Sequence, residues 1–233
     1  MSRLRADLWL VLITVIWGST FIIVKSSLDS VGPFVFVASR FWVAGALLFL
    51  LFLLHHGTFS WSLLRDGTIT GLFLWGGFIT QTIGLQTTEA SKAAFITGLN
   101  VVLVPLFAAL LLRKPPPVHA AGGVILATVG LTLMTLNPTE SLTLATGDLW
   151  VLACAAAFAM HIIAIAHYSP RHNLLPFTLV QLLTVAILAT IAAWFLERDA
   201  LLPPATTLPA ILYMGLISTA FVFGLQTWVQ RYT

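Results

Sequence analysis

The chain has 233 residues, of which 59% are apolar and 8% charged, with a formal net charge of +3 and a mean hydropathy of +1.00. Water-soluble domains carry about 25% charged residues, so the polar surface here cannot cover a soluble globule. A cytosolic enzyme, a secreted domain and a disordered chain are excluded, and the dispersed Lys and Arg, with no run longer than Arg113-Lys114, exclude a nucleic-acid partner.

A membrane helix needs about 20 mostly apolar residues to cross a ~30 Å core at ~1.5 Å per residue. In chain order, eight stretches qualify: 8–25, 34–54, 67–85, 93–112, 118–136, 149–166, 175–196 and 208–229. The first is too long for the apolar core of a signal peptide and has no small-residue cleavage site after it, so it reads as a true span. Turn signals separate the rest, among them Gly32-Pro33, Lys114-Pro115-Pro116-Pro117, Asn137-Pro138, Ser169-Pro170 and Pro203-Pro204. The runs are too long and too evenly apolar for a membrane barrel.

Loop charges predict the orientation. With a cytoplasmic N-terminus, that side receives Arg3, Arg5, Arg65, Arg113, Lys114, Arg171 and Arg231, whereas the other receives Arg198, with Lys25 and Lys92 at span ends. The excess fits the positive-inside rule and predicts a multi-pass protein of the plasma (inner) membrane.

The chain also repeats itself. Asp7-Leu8-Trp9 recurs as Asp148-Leu149-Trp150, Pro33-Phe34 as Pro176-Phe177, and Gly84-Leu85-Gln86-Thr87 as Gly224-Leu225-Gln226-Thr227. The unit holds five spans, and an odd number inverts the second copy. The predicted fold class is therefore an all-α polytopic membrane protein with an inverted five-plus-five helix repeat, eight spans being present. Residues 1–140 form the first repeat and residues 145–233 an incomplete second one. The expectation is that two spans of the second copy, about 50 residues, are missing after Thr233.

The sequence resembles the EamA-type transporters of the drug/metabolite transporter superfamily. The likeness rests on Val15-Ile16-Trp17-Gly18-Ser19-Thr20-Phe21, on Ser39-Arg40-Phe41, and on Glu89-Ala90-Ser91-Lys92-Ala93-Ala94-Phe95-Ile96 followed by Val104-Pro105-Leu106-Phe107. It implies a ten-helix transporter, with both termini cytoplasmic, that moves amino acids, other small metabolites or drugs, often outward. This chain departs from that pattern by stopping after the eighth span.

Polar groups inside a bilayer are costly and mark function by default. No Asp or Glu falls inside a predicted span, which argues against coupling through an embedded carboxylate. Arg40, about two turns into the second span, can hold a substrate carboxylate or snorkel to a helix end. His161, mid-span, can titrate near neutral pH and relay a proton, or donate one hydrogen bond within the bundle. Trp17 and Thr20 share a helix face, with Ser19 adjoining, and read as a pocket wall or as interhelical packing. Gln81, Asn100 and Gln181 add amides that need partners. Pro105 frees a carbonyl near residue 101 and predicts a kink beside Asn100. The candidate substrate-binding set is thus Trp17, Ser19, Thr20, Arg40, Gln81, Asn100, His161 and Gln181.

The single Cys154 excludes an internal disulfide and a cysteine-built metal site, and no motif implies a cofactor. The function predicted is a secondary transporter expected to export small organic solutes, with the proton as candidate coupling ion. The alternatives are a membrane-embedded enzyme acting on a lipid carrier, for which the short loops carry no catalytic cluster, and an inactive truncated remnant.

Overall fold

The computed structural model describes residues 3–55, 58–112, 122–123, 125–126, 129 and 145–229. Among these, every regular element is helical. They are α1 (Arg3–Ser27), α2 (Pro33–Leu54), α3 (Trp61–Leu85), α4 (Ala90–Gly98), α5 (Asn100–Leu112), α6 (Thr146–Tyr168), α7 (Leu174–Leu196), α8 (Leu208–Tyr213), a π-helical segment (Met214–Phe221) and α9 (Val222–Val229). Among the described residues, seven stretches are long and apolar enough to cross a membrane. They match the first four predicted spans and the last three, so the chain is an all-α multi-pass membrane protein. Most of the predicted fifth span lies outside the described residues. So do Arg113-Lys114, the Lys114–Pro117 turn, Asn137-Pro138 and Arg231.

Local chemistry sets several helix starts. Pro33 occupies the first turn of α2, where its missing N–H costs nothing. The Glu197 carboxylate, from the end of α7, accepts from the Phe34 and Val35 N–H groups at 3.0 and 2.8 Å. This satisfies two of the orphan donors at that helix end. Ser60 caps α3 by accepting from Leu63 N–H at 3.2 Å. Asp148 accepts from Ala145 N–H at 2.9 Å at the start of α6.

α3 lies along α6 and α7, and α2 packs on α7 and on the π-helical segment. The interior between them holds Phe41, Leu74, Phe78, Leu182 and Phe223. α1 sits outside this core, with Leu8, Val15 and Ile22 between 61% and 70% exposed. In lipid such exposure carries no penalty. Association there relies on close packing, which favours small residues at helix crossings.

Two crossings repeat one arrangement. A Cβ on Gly71 of α3 would lie 2.7 Å from Thr184 Cβ and 3.0 Å from Gln181 O on α7. A Cβ on Gly215 would lie 2.8 Å from Val43 Cβ and 2.9 Å from Arg40 O on α2. In each, a glycine sits over a carbonyl and the side chain three residues on. Arg40 and Gln181 thereby hold matching positions on α2 and α7.

The fourth span is broken beside Asn100, where the Pro105 kink is expected. Pro105 lies inside α5, and the interruption falls at Leu99, whose N–H bonds Ile96 O with a three-residue step at 3.1 Å. Gly98, a weak helix former, ends α4 just before it. Asn100 opens α5 at that break.

Candidate functional site

A cavity of about 80 Å³ lies inside the bundle. Its polar wall is built from Thr20, Arg40, Gln81, Thr97, Asn100, His161 and Gln226, contributed by α1, α2, α3, α4, α5, α6 and α9. Aromatic rings close the rest, principally Trp17, Phe78, Phe158 and Phe223. Phe78 is the hub, edge-on to Phe158 and Phe223 with centroids 5.2 and 5.8 Å away. Trp17 leans on Phe223 at 5.3 Å.

Arg40 is 2% exposed. Its Nε and Nη2 both donate to Thr219 Oγ1, at 3.2 and 2.9 Å. Its Cζ lies 4.6 Å from the Phe78 centroid and 5.4 Å from that of Phe41. Among the described residues it forms no ion pair with a carboxylate. One hydroxyl accepts from two nitrogens, and a guanidinium has five N–H donors. The charge thus keeps unused donor capacity at the cavity wall.

His161 is 2% exposed and its Nε2 lies 3.0 Å from Gln181 Oε1. Gln181 Nε2 donates to Phe177 O at 3.2 Å, on the same helix. Gln81 Nε2 donates to Thr97 Oγ1 at 3.4 Å. Thr20 Oγ1 donates to Trp17 O at 2.6 Å, so its hydroxyl proton is used on its own helix. Trp17 Nε1 donates to Ser218 O at 3.2 Å. That carbonyl belongs to the π-helical segment, where wider turns release main-chain oxygens and which commonly marks functional sites. Gln226 Oε1 is buried with no hydrogen-bond partner among the described residues.

Six of the eight predicted site residues line this cavity: Trp17, Thr20, Arg40, Gln81, Asn100 and His161. Gln181 does not line it; it stands behind His161 and holds that ring. Ser19 lies elsewhere: it is exposed and donates to Ile16 O at 2.7 Å. A residue two positions from Trp17 on a helix points to the opposite side. The sequence reading did not single out Phe78, Phe158 or Phe223. They sit in uniformly apolar runs, where a wall ring and a core ring look alike. Thr219 likewise had no signal. Gln226 did, as a buried amide in the repeated Gly-Leu-Gln-Thr element.

Both ends of the bundle carry polar ties between residues 1–140 and residues 145–233. At one end Lys92 Nζ meets Asp148 at 2.6 Å, and Thr88 Oγ1 donates to the same carboxylate at 3.0 Å. Nearby, Lys25 Nζ donates to Leu85 O and Thr88 O at 2.6 and 3.0 Å, an anchor across α1 and α3. At the other end His172 Nε2 meets Asp66 at 2.8 Å, and Asp66 also pairs with Arg65 at 2.8 Å. No group of three His, Cys, Asp or Glu side chains gathers for a metal among the described residues.

A profile of the EamA-like transporter family matches residues 4–136 and 145–233. A protein of Archaeoglobus fulgidus, named as an uncharacterized transporter, is 35% identical over all of this chain and 72% of its own length. An uncharacterized transporter of Bacillus subtilis is 22% identical over 97% of this chain and 79% of its own. An S-adenosylmethionine/S-adenosylhomocysteine transporter of Chlamydia muridarum is 32% identical over 49% of this chain and 37% of its own. A solved crystal structure superposes with a TM-score of 0.73 over 99% of this chain and 80% of that one, at 22% identity, which speaks for the fold alone.

Proposed function

The chain belongs to the EamA-like transporter family and is a membrane transporter, and from that premise we propose that it carries a small organic solute with an anionic group through the Arg40 cavity by alternating access. The family and its relatives are named as transporters rather than enzymes. The observation that carries the proposal is the buried Arg40 guanidinium. It faces a cavity with donors to spare and no carboxylate partner among the described residues. A buried charge left unpaired is expensive, and an incoming carboxylate or other oxyanion would relieve that cost with bidentate hydrogen bonds. The aromatic rings around it suit the apolar body of a metabolite or drug. One relative is named for an organic solute, S-adenosylmethionine, which agrees with this class.

In this reading the two repeats, residues 1–140 and 145–233, rock against each other about the cavity. The matched Gly71 and Gly215 crossings support a two-fold relation between them. The Lys92–Asp148 and Asp66–His172 ties then act as closures at opposite ends, one releasing while the other holds. The protein sits in the plasma (inner) membrane with its N-terminus cytoplasmic, on the loop-charge argument, and moves its solute outward. No Asp or Glu lines the cavity among the described residues, so proton coupling would run through His161.

Flux into proteoliposomes tests this. With organic anions and matched neutral compounds as probes, the wild type moves at least one anion, and Arg40→Gln removes that flux. Anion flux that is unchanged in Arg40→Gln would refute the assignment of Arg40.

A further inference from the structure

We infer that Gln181 is a positioning residue that fixes the tautomer of His161, so that the cavity meets its solute with a histidine hydrogen-bond acceptor and selects anions that also carry a hydrogen-bond donor. The inference rests on the solute cavity proposed above.

The argument is one of directed donors and acceptors. Phe177 O can only accept, so the Gln181 group 3.2 Å from it is the amide NH₂. The other end of the amide is then the carbonyl oxygen, and it lies 3.0 Å from His161 Nε2. An oxygen there requires a proton on Nε2. In the neutral ring the second nitrogen, Nδ1, is left bare as an acceptor. Nδ1 has no partner among the described residues, and it is not one of the sealed, unpartnered polar atoms. The ring borders the cavity. The wall therefore offers a cation at Arg40 and a bare lone pair at His161. A plain carboxylate answers only the first. A carboxylate with a hydroxyl or amino group answers both, and leaving a buried acceptor unmet is what rejects the poorer ligand.

Two readouts test this on the full chain in detergent. Nitrogen NMR of the histidine-labelled protein, with His161→Phe for assignment, should show a protonated Nε2 and a bare Nδ1. In Gln181→Leu the ring loses its holder and both tautomers appear. In Gln181→Glu the carboxylate still holds the Nε2 proton but draws a second one onto Nδ1, giving imidazolium with the ring in place. A proton on Nδ1 in the neutral wild type, or a tautomer unchanged in Gln181→Leu, overturns the role of Gln181.

Binding is read with matched carboxylate pairs, lactate against propionate and 3- or 4-hydroxybenzoate against benzoate. At least one hydroxylated member should bind the wild type roughly tenfold tighter than its partner. That preference should vanish in His161→Phe and in Gln181→Glu. No preference in any pair, or a preference that survives His161→Phe, overturns the solute selection. Arg40→Gln separates the two readings: it should weaken both members of each pair alike. If it leaves both unchanged, the anion reading fails while the tautomer result stands by itself.

Discussion

Replacing Arg40 by Met removes the charge at nearly constant length and apolar stem. Truncating one partner of a buried, hydrogen-bonded charge pair costs about 2–5 kcal/mol of binding, or roughly 30-fold to several thousand-fold in affinity for an anionic solute. The solute-free protein should respond differently. It loses the donation to Thr219, about 1.5–3 kcal/mol for a charged donor, and a cation–π contact with Phe78, about 0.5–2 kcal/mol. Against this it no longer buries a charge that is 2% exposed and has no carboxylate partner among the described residues, a relief of several kcal/mol. The terms nearly offset, so thermal stability in detergent should stay level or rise while anion binding and flux are lost. Paired thermal unfolding and proteoliposome flux on the same preparation give both numbers. A marked fall in melting temperature with flux intact would show a structural arginine and refute the reasoning.

Gly71→Val and Gly215→Val each force a side chain into a neighbour less than 3 Å away, and each should destabilise by about 1–3 kcal/mol in thermal unfolding. Gly18→Ala is the control: its Cβ would meet nothing within 4 Å, and helix propensity alone should stabilise by up to about 1 kcal/mol. Glu197→Ala removes the carboxylate from Phe34 and Val35 N–H and should lower stability by about 0.5–2 kcal/mol, whereas Glu197→Asp should recover part of it. Lys92→Met leaves the Asp148 carboxylate, 2% exposed, with only Thr88 and Ala145 as partners among the described residues. It should shift the balance between the two end closures, read as faster labelling of cysteines placed at that end.

The spans were legible because hydropathy over 20 residues outweighs every local detail. Their ends were less so. α3 begins at Trp61 rather than near residue 67, because Ser60 caps it and Asp66 pairs with Arg65 and hydrogen-bonds His172, 106 residues away. The polar part of the site was legible for the same reason as the spans. Arg40, Gln81, Asn100 and His161 stand out against an apolar background, and lipid leaves them nowhere to face but inward. Ser19 was misread because adjacency in sequence is not adjacency on a helix. The pairing of His161 with Gln181 depends on how α6 crosses α7, and nothing local encodes it. The π-helical turns that bring Ser218 O to Trp17, in the same segment as Thr219, have no sequence signature at all.

The most direct test of transport through this cavity is counterflow in proteoliposomes. Vesicles carrying the full chain are loaded with unlabelled organic anion and diluted into a trace of the labelled compound. A carrier exchanges one for the other, so label should accumulate transiently above its equilibrium level, and this overshoot should be absent in Arg40→Gln. A wild-type protein that binds the anion yet shows no overshoot with any loaded anion would contradict the alternating-access account.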